Sequence, residues 1–103
     1  MLPDNAQQRI FVATKPIDFR KGIDGIAAVC QQQFQLDPKS GHYFIFRNRR
    51  KTAIKVLLFD NHGFWLCHKR ISHGKFDHWP NYHAVLNEIP KLKLSPLVLN
   101  QYN

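Results

Sequence analysis

Hydrophobic positions along the chain repeat with two different periods. From Phe19 they fall at Phe19, Ile23, Ile26, Ala27, Cys30 and Phe34, with Arg20, Lys21 and Asp24 off the stripe. That is one face of a 3.6-residue repeat, and it predicts a helix over 19–34. Asp18 is placed to cap it by accepting from first-turn amides. Gly22 and Gly25 oppose helix formation at about 1 kcal/mol each relative to Ala, unless they give a flat contact on a sheet. Asp37-Pro38 ends the segment and Ser40-Gly41 turns the chain. The period then drops to two. Phe44 and Phe46 share one face, and Tyr43 and Ile45 the other. Strands are predicted at 42–47, 54–60, 64–71 and 75–79. The connections Asn48–Lys51, Asp60–Gly63 and Ser72–Gly74 are short, as antiparallel neighbours require. Ile10–Ala13, stopped by Pro16, adds a short edge strand.

Beyond Pro80, the residues Tyr82, Val85, Leu86 and Ile89 have helical spacing, with Asn81 as cap and Pro90 as stop. Ser95-Pro96 reads as an N-cap followed by proline at the first helical position, and Leu97, Val98, Leu99 and Tyr102 as a final short turn. Leu92, Leu94, Leu97, Val98 and Leu99 are too apolar for a free tail. They are expected to pack on the sheet of their own chain or of a second copy, a homodimer. The architecture predicted is α+β: an antiparallel β-meander of about four to five strands, one main helix packed on one face, and a short irregular or helical C-terminal tail. A chain of 103 residues holds this as a single domain, 1–103.

Charge changes the picture more than composition does. Fifteen Lys and Arg against seven acids give a formal charge of +8, and a small domain that basic points to a polyanionic partner. Between Asp37 and Asp77 the sole acid is Asp60, whereas Arg47, Arg49, Arg50, Lys51, Lys69, Arg70 and Lys75 all fall there. Alternate turns of a meander lie at one end of its sheet. The Asn48–Lys51 and Ser72–Gly74 turns should therefore meet, gathering these seven residues into a nucleic-acid-binding cationic end, with Asp60 at the other end. The competing view is a solvated hairpin end charged against aggregation. No helix-turn-helix, zinc-finger or aromatic ribonucleoprotein motif accompanies the charge, so phosphate contact rather than base readout is expected.

Other chemistry finds little support. His42, His62, His68, His73, His78 and His83 form no HxxxH, HExxH or Cys/His pair at metal-ligand spacing. The seven acids show no pair suited to two-metal nuclease chemistry. Cys67 and His68 are strand neighbours on opposite faces, which disfavours a nucleophile pair. Cys30 and Cys67 fit reduced structural thiols. No metal or cofactor is expected, and no enzyme activity. With no transmembrane stretch and no signal-peptide pattern at Met1–Asn5, a cytoplasmic location is the default.

Several blocks of sequence fall in a familiar order. They are Asp18-Phe19-Arg20-Lys21-Gly22-Ile23-Asp24-Gly25, Ser40-Gly41-His42-Tyr43-Phe44-Ile45-Phe46-Arg47-Asn48-Arg49-Arg50 and Ile54-Lys55-Val56-Leu57-Leu58-Phe59-Asp60. Lys69-Arg70-Ile71, Gly74-Lys75-Phe76 and Trp79-Pro80 follow. Together they resemble the TnpB-type accessory proteins of the insertion-sequence-66 transposon family. The likeness covers most of 10–80, with 81–103 a divergent tail. It implies a small bacterial protein, encoded beside a transposase and supporting transposition. It assigns no biochemical activity. The residues and the resemblance together suggest a non-catalytic accessory protein that binds nucleic acid, DNA being the expected form, or else a protein adaptor for the transposase of the same element. A metal-dependent nuclease ranks last.

Overall fold

The computed structural model describes residues 7–82 and 84–101. Its elements run β1 (Ile10–Ala13), α1 (Ile23–Gln32), β2 (Tyr43–Arg47), β3 (Ala53–Phe59), β4 (Phe64–Arg70) and β5 (Leu86–Ile89). A single 3-10 turn, Lys91–Lys93, leads into α2 (Leu94–Leu99). The five strands form one sheet in the order β4-β3-β2-β1-β5. The class is α+β, as predicted, and β2, β3 and β4 form the expected antiparallel meander.

Side chains from alternate strand positions build two cores. On one face Phe11, Ala13, Phe44, Phe46 and Leu57 cluster with Ile26, Val29 and Cys30 of α1. On the other, Ile10, Val12, Tyr43, Ile45, Val56, Leu58 and Ile89 cluster with Leu97, and Leu94, Val98 and Trp79 pack against them. The C-terminal residues thus cover the sheet of their own chain in part. Leu92 and Leu99 stay exposed, contrary to expectation. Leu99 points away because a helix this short seats one stripe only, and Leu92 lies in the 3-10 turn before it.

Four elements differ from the sequence reading. β1 is not an edge. It lies between β2, to which it runs parallel, and the antiparallel β5, and the unbroken apolar run Ile10–Ala13 is what burial on both faces demands. The predicted strand 75–79 does not form. After Arg70 the chain turns through Gly74 (φ +75°) and passes under the second core, where Phe76 is buried and Trp79 Nε1 donates to the Ala13 carbonyl (2.8 Å). The predicted helix over 81–89 is replaced by β5. Leu86 and Ile89 pack in opposite cores, as a strand allows and a one-faced helix does not. Buried Asn87 donates to Thr14 Oγ1 (2.6 Å).

α1 is shorter than the 19–34 stripe. Lys55 Nζ donates to the carbonyls of Phe19 (2.8 Å) and Lys21 (2.9 Å), which holds that stretch as a turn. Asp18 does not cap the helix; its Oδ1 accepts from Arg20 N (2.9 Å), and the N-cap is Gly22. Ser95 lies within the first turn of α2, whose cap is Lys93. The predicted roles of Tyr102 and His83, and the N-terminal residues 1–6, lie outside the described residues.

Candidate nucleic-acid interface

The turn between β2 and β3 is set by Asn48. Its Oδ1 accepts from Thr52 N (2.8 Å) and Ala53 N (3.0 Å), and its Nδ2 donates to Thr52 Oγ1 (3.0 Å). Lys51 takes the left-handed conformation that tightens the turn (φ +63°). These bonds leave Arg49 and Arg50 exposed at the tip. Ala53 pairs with Arg70, and Ile71 N donates to the Thr52 carbonyl (2.9 Å), so the end of β4 lies beside that turn. Phe76 N then donates to the Lys51 carbonyl (2.7 Å), which returns the segment after Gly74 to the same place. Arg49, Arg50, Lys51, Arg70 and Lys75 therefore share one end of the sheet, and all five are exposed. The Asp60 turn joins β3 to β4 at the other end.

Arg47 and Lys69 share that end, but their cations are turned inward. Arg47 follows Tyr43 and Ile45 on the second-core face and is 8% exposed. One guanidinium nitrogen donates to the Phe76 carbonyl (2.6 Å), and the group lies over the Trp79 ring, 4.8 Å from its centroid. Desolvation lowers its pKa from the ordinary value. Lys69 Nζ donates to the Val98 carbonyl of α2 (2.6 Å). Side-chain alternation places both on the α2 side, so they hold the chain's later segments in place.

Two features of this end were not legible in the sequence. Ile17 N donates to the Arg47 carbonyl (3.1 Å), bringing the loop before α1 alongside the β2–β3 turn. A cleft of about 410 Å³ opens between them, lined by Ile17, Asp18, Phe19, Arg20, Asn48, Arg49 and Arg50. Arg20 is clamped by Asp18 through Nε (2.9 Å) and a terminal nitrogen (2.6 Å), and this pairing holds the Asp18 carboxyl down at about 2. No local motif announces that approach; it follows from β1 lying next to β2. The second feature is an acid. Asp77 stands 3.9 Å from Lys51 Nζ, in the segment that sequence reading had made a strand.

The remaining chemistry is dispersed. Among the described residues no three His, Cys, Asp or Glu side chains form a group able to hold a metal ion. Glu88 is paired with Arg9 (2.6 Å), and Asp60 accepts from Trp65 Nε1 (2.7 Å). Burial pushes the Cys30 thiol up to about 12. Cys67 packs on the second core while His68 meets the edge of Phe19 on the opposite face. No helix among the described residues is long and apolar enough to cross a membrane.

Comparison with known proteins identifies the lineage. The family model described as IS66 Orf2 like protein matches residues 8–99. The chain belongs to the IS66 Orf2-like family. The match spans every element from β1 to α2, including β5. Two curated relatives come from Sinorhizobium fredii strain NGR234, and both carry the name of an uncharacterized protein. With y4hO the chain is 34% identical over 98 residues, covering 95% of this chain and 84% of that protein. With y4jC it is 35% identical over 83 residues, covering 81% and 71% respectively. No solved structure shows a significant match. Membership makes this IS66 Orf2-like chain a protein of insertion-sequence origin.

Proposed function

We propose that the protein is a non-catalytic accessory factor in transposition of its element, working with the transposase encoded beside it and gripping DNA backbone through its cationic end. The observation that carries this reading is the convergence of Arg49, Arg50, Lys51, Arg70 and Lys75 from separate segments onto one exposed surface. The neighbouring cleft adds a concave surface in which Arg20 is already paired with Asp18, leaving Arg49 and Arg50 to face phosphate. Arginine forks match phosphate oxygens in bidentate geometry. Contacts of this kind position a protein on a duplex without reading its sequence.

The test is duplex binding measured across a salt series. If about five side chains meet phosphates, log K falls against log salt with a slope near −4 to −5. Changing Arg49, Arg50 and Arg70 together to Ala flattens that slope by about three and weakens all sequences alike. Changing Lys91 and Lys93 to Ala is the control, since those exposed lysines sit in the 3-10 turn. Equal loss in the control and the triple variant would reduce the effect to net charge and remove the site.

A further inference from the structure

The two edges of the sheet are built differently. β5 has four residues and runs into Pro90, and shortness with an adjoining proline blunts an edge. β4 has seven residues and no proline. Its outward groups follow from two hydrogen bonds. Asp60 N donates to the Gly63 carbonyl (3.1 Å) at one end of the β3–β4 ladder, and Ile71 N donates to the Thr52 carbonyl (2.9 Å) at the other. Bonded and non-bonded pairs alternate along an antiparallel ladder. Trp65, Cys67 and Lys69 therefore bond inward to β3. Phe64, Leu66, His68 and Arg70 aim their backbone N–H and C=O groups outward. Among the described residues no strand pairs with them.

We propose that this edge docks a second copy of the chain, β4 against β4, antiparallel about a two-fold axis through Cys67. The residues of the edge select that register. Centring on Cys67 sets Leu66 opposite His68 of the second copy, Trp65 opposite Lys69, and Phe64 opposite Arg70. Every outward backbone group then finds a partner, in about eight hydrogen bonds. Centring on Leu66 or His68 instead runs part of the strand past a turn. Parallel pairing would set Lys69 against Lys69 and Arg70 against Arg70, a like-charge arrangement that is penalised. In the Cys67 register Arg70 faces the Phe64 ring of the second copy on one face of the joint sheet, and the Lys69 stem lies beside Trp65 on the other. Trp65 is suited to this. It is 44% exposed, and its indole is held by Asp60. Lys69 keeps its bond to Val98 and offers its stem to the ring.

Cys67 reports on the pairing. Opposed residues in a non-hydrogen-bonded antiparallel pair have Cα atoms about 4.5 Å apart, which a disulfide can span. Diamide takes two electrons and two protons from the paired thiols as the S–S bond forms, and becomes the hydrazine. The intact chain, without nucleic acid, is expected to sediment as a concentration-dependent dimer and to give a linked dimer that C67S abolishes. His68→Pro removes an outward N–H and no bond to β3, so it should give a monomer with an unchanged circular dichroism spectrum. Should that variant fail to fold, Trp65→Lys and Trp65→Glu decide. Lys at 65 faces Lys69 and Glu at 65 pairs with it, so the two should differ in association by about tenfold. A monomer at every concentration, a cross-link that survives C67S, a folded His68→Pro dimer, or equal behaviour of the two Trp65 variants would overturn the interface.

Discussion

Arg47 separates the two jobs that a basic residue can do at this end of the sheet. Its guanidinium donates to the Phe76 carbonyl and lies over Trp79, while Nε finds no acceptor among the described residues. Arg47→Met keeps most of the stem and removes the charge. The lost charge-assisted bond contributes about 1.5–3 kcal/mol, and the ring contact about 1 kcal/mol. Relief of the desolvated cation and its orphan nitrogen returns about 1–2 kcal/mol. The expected net loss is about 2 kcal/mol, or a fall in melting temperature of about 8–16 °C for a domain of this size. Arg49→Ala, by contrast, removes an exposed turn residue and should stay within about 0.5 kcal/mol. Urea titration gives the stabilities, and a salt series on duplex DNA gives the slopes. Folded Arg47→Met should keep the wild-type slope, and Arg49→Ala should lose about one unit. If Arg47→Met were as stable as wild type yet bound DNA with a flattened slope, its cation would be reaching phosphate, and the inward assignment would be wrong.

Acid should weaken the turn before α1. The Asp18 carboxyl is held at about 2 by Arg20, below the value it has in an unfolded chain. Its contribution is complete above pH about 4 and is lost as pH falls from there through 2. Asp18→Asn should flatten that part of a plot of urea midpoint against pH. Leu97→Ala should lower stability by about 2–4 kcal/mol, because Leu97 is 1% exposed in the second core. Leu92→Ala, at 89% exposed, should leave the urea midpoint within about 0.5 kcal/mol of wild type.

The meander was legible because Tyr43–Arg47, Ala53–Phe59 and Phe64–Arg70 are short β-prone runs joined by short connections, so local pattern and pairing agree. The convergence of Arg49, Arg50 and Arg70 followed from that alone. What escaped was decided by distant partners. Nothing between Tyr82 and Ile89 says that Leu86 and Ile89 will be buried on opposite sides; β1 imposes it by offering an unpaired edge. Phe19 belongs to the apolar stripe of α1 and packs with it, yet it leaves the helix because Lys55, far along the chain, takes its carbonyl. Arg47 and Lys69 were counted as surface cations because charge is visible in a sequence and side-chain direction at a strand end is not. Residues 75–79 contain enough aromatic character to pass for a strand. Their burial is concentrated in Phe76 and Trp79, which anchor a crossing segment.

The placement of β1 sets an order of assembly. Ile10 pairs with Tyr43 on one side and Ile89 on the other, so neither neighbour is local. The meander can close by short turns, and local pairings form before distant ones. β1 then gains its first neighbour when β2 is in place, and its second edge stays open until residues 86–89 arrive. During that interval the chain exposes an apolar strand with unpaired backbone groups, the kind of template that recruits other chains. Zipping of β5 onto β1 is therefore expected to come late in folding, and a variant that slows it should lose native protein to mispairing between chains.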